Sequence, residues 1–334
     1  MKKVTIADVA AYANVSKSTV SQFLNKRFDY MGEDTKKRIE LAIKELGYQP
    51  NIIARSLKQK STKTIGVIVA NILHVFSTQI IRAIEDYCHK EKFHVIVCNA
   101  DDNSAKEKGY IDMLRAKQVD GIITFPNSEN KDLYQEIIDE KYPFVFMDRL
   151  VPEIDMDAVL LDNHQASQLA VDQFIASGYQ KIAIISSPLQ QPVTPRLERI
   201  AGYKAALANN GISYNKAYLA SGDFSEMQQI IRNLLTLSDP PEAILALNDR
   251  VLFELLQYIK NNHVRIPDEL AIIGIDDVVF APFYRPALTT VAQPTFEMGK
   301  KAVQLLFRQI KNREARLKAN VYRFTPQLIN RESC

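Results

Sequence analysis

Apolar positions near the start of the chain recur at helical spacing in two short segments with no room for a loop between them. In TIADVAAYANVSKSTVSQFLN, residues 5–25, this spacing predicts two helices that each bury one face. Thr5 and Ser16 are residue types that favour the position before a helix, and Asn14 tolerates the positive φ that ends one. We therefore predict a tight helical hairpin with an apolar face made of Ile6, Val9, Ala10, Ala13, Val20, Phe23 and Leu24.

Two further helical patterns follow the hairpin. In GEDTKKRIELAIKELGY, which begins at Gly32, the apolar residues share one face, and Gly47 stands just past the end, where glycine commonly stops a helix. Three helices can close a small core. Pro50 and Asn51 then favour the start of a short helix that ends by Leu57, before a polar linker. A helix this short is marginal in isolation.

From Thr64 onward, short apolar runs alternate with amphipathic helical patterns. The runs TIGVIVA, FHVIVCN, DGIITFP, FVFMD and AVLLD form a first set of strands, and KIAIISS, EAILALND and LAIIGIDD belong to a second. Apolar strands separated by helices predict parallel sheets of βαβ units, and two sets predict two similar lobes. Ligands of such sheets bind outside the carboxyl ends of the strands.

Polar residues stand directly after several of these strands, where a ligand would lie. They come in pairs: Asp148 with Arg149 after FVFM, Asn248 with Asp249 after ILAL, and Asp276 with Asp277 after IIGI. Asp and Asn also cap helices routinely, so each of them has a structural role available, and we favour capping for Asp249 and Asp277.

Charge divides the chain in the same way as the hydrophobic pattern. Residues 1–63 contain 13 Lys and Arg against 6 Asp and Glu, and the remainder contains 29 against 33. A basic first unit fits a surface that meets phosphates, although exposed basic helices alone produce part of such an excess. The polar face of the second helix adds groups that can read base edges: Lys17, Ser18, Ser21 and Gln22. The hairpin alone fits an ordinary helix pair equally well.

Other classes of protein lack support in the sequence. There is no Gly-rich phosphate loop, G-x-G-x-x-G, H-E-x-x-H or G-x-S-x-G pattern, so we expect no enzyme. Cys88, Cys98 and Cys334 lack metal-ligand spacing, so we expect reduced thiols and neither metal nor cofactor. No apolar run is long enough to span a membrane, and MKKVTIADVA lacks the apolar core of a signal peptide, so we expect a cytoplasmic protein.

Ordered motifs along the whole chain resemble the LacI/GalR family of bacterial repressors. TIADVA, VSKSTVS, ELGYQPN and ARSL followed by TIG match the headpiece and hinge of that family, and FMDR, RIAGYKAAL, ILALND and IPDELAIIGIDD continue the match. The resemblance implies an all-α helix-turn-helix headpiece plus an α/β, two-lobed effector domain of the periplasmic-binding-protein type with parallel sheets.

The resemblance also implies the domain boundaries. We expect the headpiece at 1–49, the hinge helix and linker at 50–63, and the effector-binding and dimerisation domain at 64–334. Because chains of this family cross between the lobes three times, we expect the first lobe at about 64–161 and 293–320, and the second at about 162–292 and 321–334. The last strand, near Val321 to Phe324, would then lie in the second lobe.

For DNA, the resemblance implies a homodimer on a palindromic operator, with recognition helices in the major groove and the hinge helix in the minor groove. Leu57 would wedge between the central base pairs. Gln22 departs from the family, which usually has arginine there; its amide would read adenine, or else contact phosphate or water. The expected DNA-contacting residues are Thr5, Ser16, Lys17, Ser18, Ser21, Gln22, Asn25, Asn51, Ala54, Arg55 and Leu57.

For the effector, the resemblance implies contacts from His74, Phe76, Ser77, Arg149, Arg199, Phe224, Asn248 and Asp276. Phe224 fits either a ring that stacks on a sugar or a core residue, and NILHVFST departs from the Asn-Pro-Phe pattern usual in the family. Arg149 and Arg199 together would hold an anionic ligand such as a sugar acid, unless Arg149 pairs with Asp148 or another local acid.

These features predict a repressor of a carbohydrate-utilisation operon that a small sugar-type effector releases from its operator. Overall similarity points to regulators of keto-deoxy sugar acid or hexuronate breakdown, which makes 2-keto-3-deoxygluconate a candidate effector. The alternative is a catabolite-control regulator whose corepressor is a phosphorylated carrier protein that docks on the first lobe.

Overall fold

The computed structural model describes residues 4–49, 61–190, 193–313 and 318–334. The chain divides into two compact units, residues 1–62 and 63–334. Four of the predicted DNA-contacting residues lie outside the described residues, so their roles stay predictions: Asn51, Ala54, Arg55 and Leu57.

The first unit is a small helical domain. Its helices among the described residues are Ile6–Tyr12 (α1), Lys17–Leu24 (α2) and Glu33–Leu46 (α3). Ser16 Oγ accepts a 3.1 Å hydrogen bond from the backbone N–H of Thr19 and so caps α2, as predicted. Asn14 and Gly47 end helices with φ values of +52° and +58°. The predicted apolar faces meet in one core around the fully buried Val9, Val20 and Ile39.

The second unit contains two α/β lobes. The strands of the first lobe are Thr64–Val69 (β1), His94–Asn99 (β2), Gly121–Thr124 (β3), Phe144–Met147 (β4), Ala158–Leu161 (β5) and Val321–Phe324 (β11). Its helices are Val75–Lys90 (α4), Ser104–Ala116 (α5), Lys131–Asp139 (α6) and Thr295–Lys311 (α11). The sheet has the order β11-β5-β4-β3-β1-β2, and its pairings are parallel, as predicted.

The second lobe repeats this plan. Its strands are Ile182–Ser186 (β6), Leu219–Ser221 (β7), Ala243–Ala246 (β8), Ala271–Ile275 (β9), Thr289–Ala292 (β10) and Gln327–Ile329 (β12). Its helices are Asn163–Ala176 (α7), Thr194–Asn209 (α8), Met227–Leu235 (α9) and Asp249–Asn261 (α10). The sheet has the order β12-β10-β9-β8-β6-β7 and is parallel except for β12, which runs antiparallel to β10.

The position of β11 corrects the predicted lobe boundaries. This strand was expected in the second lobe, at about 321–334, and that expectation is wrong because β11 pairs in parallel with β5, from Val321 opposite Ala158 onward. Backbone hydrogen bonding explains the placement, since β11 satisfies the groups along the outer edge of β5. The chain therefore crosses to the second lobe only after Phe324, and β12 is the strand that it adds there.

Candidate functional site

A cavity lies between the two lobes at the carboxyl ends of their strands. The first lobe lines the cavity with residues that follow β1, β3 and β4. The second lobe lines it with residues that follow β8, β9 and β10 and with the start of α8. The lining residues are Ala70, His74, Phe76, Ser77, Phe125, Asp148, Arg149, Val193, Pro195, Arg196, Arg199, Leu247, Asn248, Asp276 and Gln293.

The fold brings together seven of the eight residues predicted to contact an effector. They are His74, Phe76, Ser77, Arg149, Arg199, Asn248 and Asp276. Phe224 does not line this cavity. Its ring packs against the core of the second lobe, and the ring centroid lies 3.9 Å from the guanidinium carbon of Arg250. Phe224 therefore lies at the core, which was the alternative to stacking on a sugar.

Asp276 holds the second-lobe wall of the cavity in a fixed arrangement. It is buried and has a φ of +85°. Its Oδ1 accepts a 2.6 Å hydrogen bond from Nε2 of Gln293, and its Oδ2 accepts a 3.3 Å bond from the backbone N–H of Asp249. Burial, together with repulsion from the Asp249 carboxylate, raises the pKa of Asp276 to about 6.

Asn248 performs both roles that the sequence left open. Its Oδ1 accepts a 2.9 Å hydrogen bond from the backbone N–H of Val251, so it caps α10. The same side chain lines the cavity. A cap therefore fixes the orientation of a residue that faces the ligand space.

Asp249 connects the two lobes. Its fully buried carboxylate accepts a 2.5 Å hydrogen bond from Nδ1 of His74 and a 2.6 Å bond from the backbone N–H of Val75, at the start of α4 in the first lobe. Burial acts to raise the pKa of Asp249, but the bond and charge of His74, with the backbone bonds from Val75 and Arg250, outweigh burial and hold that pKa below the ordinary carboxyl value. The predicted capping role is therefore played across the cleft, on α4.

Arg199 is held by neutral protein groups. Its Nε donates to Oδ1 of Asn163 at 2.8 Å and its Nη1 donates to the carbonyl of Leu247 at 2.5 Å. Among the described residues, no carboxylate oxygen lies within ion-pair distance, 4.0 Å, of the Arg199 guanidinium. The guanidinium therefore stays in the cavity wall with its charge uncompensated at short range.

Arg149 pairs with a local acid, which was the alternative to ligand binding. Its Nη1 lies 2.7 Å from Oδ1 of Asp102, and its Nε lies 4.0 Å from Oδ2 of Asp148. Burial raises the pKa of Asp148, whereas attraction to Arg149 and then Arg196 overcomes the effect of burial and lowers the pKa of Asp102. Asp102 is therefore the main counter-ion.

Sequence reasoning missed three polar residues of this region. Arg196 precedes Arg199 by three positions, so helical spacing on α8 could have placed both on one face. Gln293 follows β10, a strand that the apolar pattern did not reveal. Asp102 follows β2 and reaches Arg149 only through the tertiary fold.

The first unit carries a polar surface on α2. Lys17, Ser18 and Gln22 are exposed there, and Ser21 is half-buried. The side-chain amide of Asn25 donates to the carbonyl of Ser21 at 2.7 Å, and Thr5 donates from its hydroxyl to the carboxylate of Asp8 at 2.7 Å. Contacts from these residues to DNA stay predictions.

The described residues contain neither a membrane-spanning helix nor a cluster of metal-ligating side chains. No helix among them is both long and apolar enough to cross a membrane. The same residues contain no group of three or more His, Cys, Asp or Glu placed to hold a metal ion.

Known proteins resemble the chain in both units. Residues 5–51 match the family model "Bacterial regulatory proteins, lacI family", and residues 171–334 match "Periplasmic binding protein-like domain". The "Probable HTH-type transcriptional regulator EndR" of Paenibacillus polymyxa is 49% identical over 332 residues, 98% of each chain. The lac repressor bound to ONPG in its repressed state aligns over 100% of both chains with a TM-score of 0.86 and 25% identity. A transcriptional regulator CelR–cellobiose complex aligns over 99% of this chain and 100% of its own, with a TM-score of 0.73 and 26% identity.

Proposed function

The chain belongs to the lacI family of bacterial regulatory proteins, and from that premise we propose that it represses a carbohydrate-utilisation operon and leaves its operator when a small sugar-type effector binds between the lobes. It is a DNA-binding transcriptional regulator by family. Repression, the target operon and the effector are the proposal. The main support for this proposal is that predicted effector residues from both lobes line one cavity.

On the DNA side, we propose that a homodimer places α2 of each protomer in successive major grooves of a palindromic operator in the cytoplasm. The exposed polar side chains of α2 support this role, because they include both donors and acceptors for base edges. Most of the hinge predicted at 50–63 lies outside the described residues, and its folding as a helix on DNA stays part of the proposal.

On the effector side, a ligand between the lobes would change DNA affinity through its different affinities for two arrangements of those lobes. Asn248, Asp276 and Gln293 supply the amides and carboxylate that suit the hydroxyls of a sugar. The CelR–cellobiose complex, in a chain of similar fold, supports a sugar as the ligand class. Arg199, whose Nε and Nη1 donate only to neutral protein groups, favours a sugar acid such as 2-keto-3-deoxygluconate.

The proposal is tested with purified protein in two steps. Sites are first selected from a random DNA pool, and we expect a palindromic consensus. Neutral sugars, sugar acids and sugar phosphates are then screened by thermal shift, since a ligand at ~100 times its Kd adds about 2.7 kcal/mol to folded stability. A hit should release the selected DNA.

Variants distinguish the cavity from the rest of the protein. Asp276→Asn and Arg199→Ala should abolish release by the hit while DNA affinity without effector is unchanged, because neither residue is in the headpiece. Asp277→Asn is the matched control, since Asp277 pairs with Arg331 and Thr290 and does not line the cavity. Release at the wild-type effector concentration by either cavity variant would contradict this placement of the site.

A further inference from the structure

Two arginines on opposite walls of the cavity share one counter-ion. Asp102 Oδ1 lies 2.7 Å from Nη1 of Arg149, and Asp102 Oδ2 lies 4.0 Å from Nη2 of Arg196. The side chains of Arg149 and Arg196 are 11% and 18% exposed. Two largely desolvated cations therefore share Asp102, and Asp148 lies 4.0 Å from Nε of Arg149.

One guanidinium donor of this pair is unused by the described residues. Nε of Arg149 is buried and has no hydrogen-bond partner among them. Arg196 donates from Nη1 to the carbonyl of Pro188 at 2.9 Å, which is a neutral partner. Burial, and next the charge of Arg149, lower the pKa of Arg196. Buried donors without partners are costly, so the arrangement is suited to an additional acceptor.

The other charged groups of the cavity do not supply that acceptor. Oδ2 of Asp148 is 4.0 Å from Nε of Arg149. Burial raises the pKa of Asp148 and so disfavours its ionised form. Asp249 is engaged by His74 and Val75, and Asp276 by Gln293 and the backbone of Asp249. Asp102 and Asp148 are therefore the acids that face the arginine pair, and neither accepts a hydrogen bond from Nε of Arg149.

We propose that Arg149 and Arg196 form an anion subsite that binds the acidic group of the effector, a carboxylate or a phosphate, and that Arg196 is a specificity-determining residue for it. This inference rests on the proposed function, because it assumes that the effector occupies this cavity. A planar or forked oxyanion matches the paired donors of guanidinium groups. The acidic group of the ligand would supply the acceptor that Nε of Arg149 lacks among the described residues.

The subsite also fixes the direction in which the effector lies. Asn248, Asp276 and Gln293 offer hydrogen-bonding groups to neutral hydroxyls at the second-lobe wall. The acidic end would lie at Arg149 and Arg196, and the hydroxylated end at Asp276. Arg199, whose Nε and Nη1 already donate to protein groups, would contact the ligand between them rather than form the acid-binding pair.

The test compares matched ligands on Arg196→Gln. The probes are glucose, gluconate, glucose 6-phosphate, galactose, galacturonate and 2-keto-3-deoxygluconate, and the measurements are Kd by calorimetry and release of selected DNA. We expect at least one anionic probe to bind more tightly than the neutral sugars. Arg196→Gln should weaken that probe at least tenfold and change the Kd of any neutral sugar that binds by less than twofold. Lys204→Gln, on the exposed part of the same helix, is the control and should change neither Kd.

The sugar acids and the sugar phosphate separate the two sources of the acidic group. Neutral sugars that bind and release DNA while every anionic probe is inert would overturn the anion subsite and leave the proposed function standing. An equal loss for neutral and anionic probes on Arg196→Gln would overturn the specificity role. If no probe at all binds while DNA selection succeeds, the sugar-effector proposal fails, and the subsite fails with it.

A second measurement needs no ligand. If the main role of Arg196 is ligand binding, the unliganded Arg196→Gln protein should melt at the wild-type temperature or above it, because the variant removes a largely buried cation whose paired carboxylate oxygen is 4.0 Å away. A residue that serves mainly as a structural ion pair would give the opposite result. A clear fall in Tm, with the Lys204→Gln control unchanged, would contradict the subsite.

Discussion

The carboxylate of Asp249, at the first position of α10 in the second lobe, caps α4 of the first lobe by accepting a 2.6 Å hydrogen bond from the backbone N–H of Val75. The N-terminus of a helix has unpaired N–H groups and a partial positive charge, so a buried carboxylate is well placed there. His74 binds the other carboxylate oxygen at 2.5 Å. One side chain thus satisfies groups on the opposite lobe.

We expect Asp249→Ala to lower the free energy of unfolding by about 1–3 kcal/mol for the buried donor left without a partner. Chemical denaturation at pH 7 measures this, and Asp172→Ala, at an exposed acid on α7, should change it far less. His74→Gln should cost less than Asp249→Ala, because it leaves the bond to Val75 in place. Equal stabilities for the wild type and Asp249→Ala would refute the link between the lobes.

The same residue gives a pH dependence of stability with a defined sign. The folded-state pKa of Asp249 lies below its ordinary value, so its carboxylate stabilises the fold above the ordinary pKa. That contribution is lost as the pH falls through the folded-state pKa. The difference in stability between the wild type and Asp249→Asn should therefore shrink on acidification, as denaturation at several pH values would measure.

Asp276 predicts a pH dependence of effector binding. Its pKa is raised to about 6, so the folded protein binds this proton more tightly than the unfolded chain does, and ionisation at higher pH costs stability. A ligand hydroxyl donates a stronger hydrogen bond to the ionised carboxylate of Asp276 than to the protonated acid. The Kd of the effector should therefore increase as the pH falls through about 6.

Asp276→Asn provides the control for that pH dependence. The amide cannot ionise, so any remaining affinity should be nearly constant over the same pH range, when measured by calorimetry with one ligand. A wild-type Kd that is flat from pH 7.5 to 5 would contradict the role of the ionised Asp276 carboxylate in binding.

The parts of the site that follow local rules were predicted from the sequence. Asn248 and Asp276 follow apolar strands, and parallel strands bring their carboxyl ends to one edge. Asp102 and Arg149 meet only because β2 and β4 lie in one sheet, and nothing in either local sequence encodes that pair. The lobe that receives β11 depends likewise on which sheet edge is free, which is a property of the tertiary fold.

Helix capping illustrates the same limit. Ser16 caps the helix that follows it in sequence, and the prediction for it is confirmed. Asp249 is the same type of residue, but Asn248 occupies the cap position of α10. The Asp249 carboxylate accepts from the backbone N–H of Val75 on the other lobe as well as from that of Arg250 on its own helix. Local pattern identifies a residue able to cap, whereas packing decides which helix it caps.

Leu57 lies outside the described residues, and its role remains a prediction from the resemblance. Leu57→Ala should weaken binding to the selected operator, because the apolar wedge that unstacks the central base pairs is lost. Binding to random DNA rests on phosphate charge and should hardly change. Titration of both DNAs at one salt concentration measures the two effects. Equal losses of affinity for both DNAs would contradict the predicted wedge.

Gln22 carries the prediction for DNA sequence preference. It is exposed on α2, where the family usually has arginine, and a glutamine amide can donate to and accept from adenine, whereas arginine suits the paired acceptors of guanine. We therefore expect the operator to differ from the common family half-site at one symmetric pair of positions. The competing interpretation is that Gln22 contacts phosphate or water and that Lys17 and Ser18 set the base preference.

Selection from a random DNA pool with three proteins distinguishes these interpretations. Gln22→Arg should move the preference at that position toward G·C, since a bidentate contact is worth roughly 1–3 kcal/mol of discrimination between bases. Gln22→Ala should flatten the preference there, because it removes the amide without adding a donor. The preferences at the remaining positions serve as the internal control, since Lys17 and Ser18 are unchanged in all three proteins. Identical sequence logos from the wild type and both variants would mean that Gln22 reads no base.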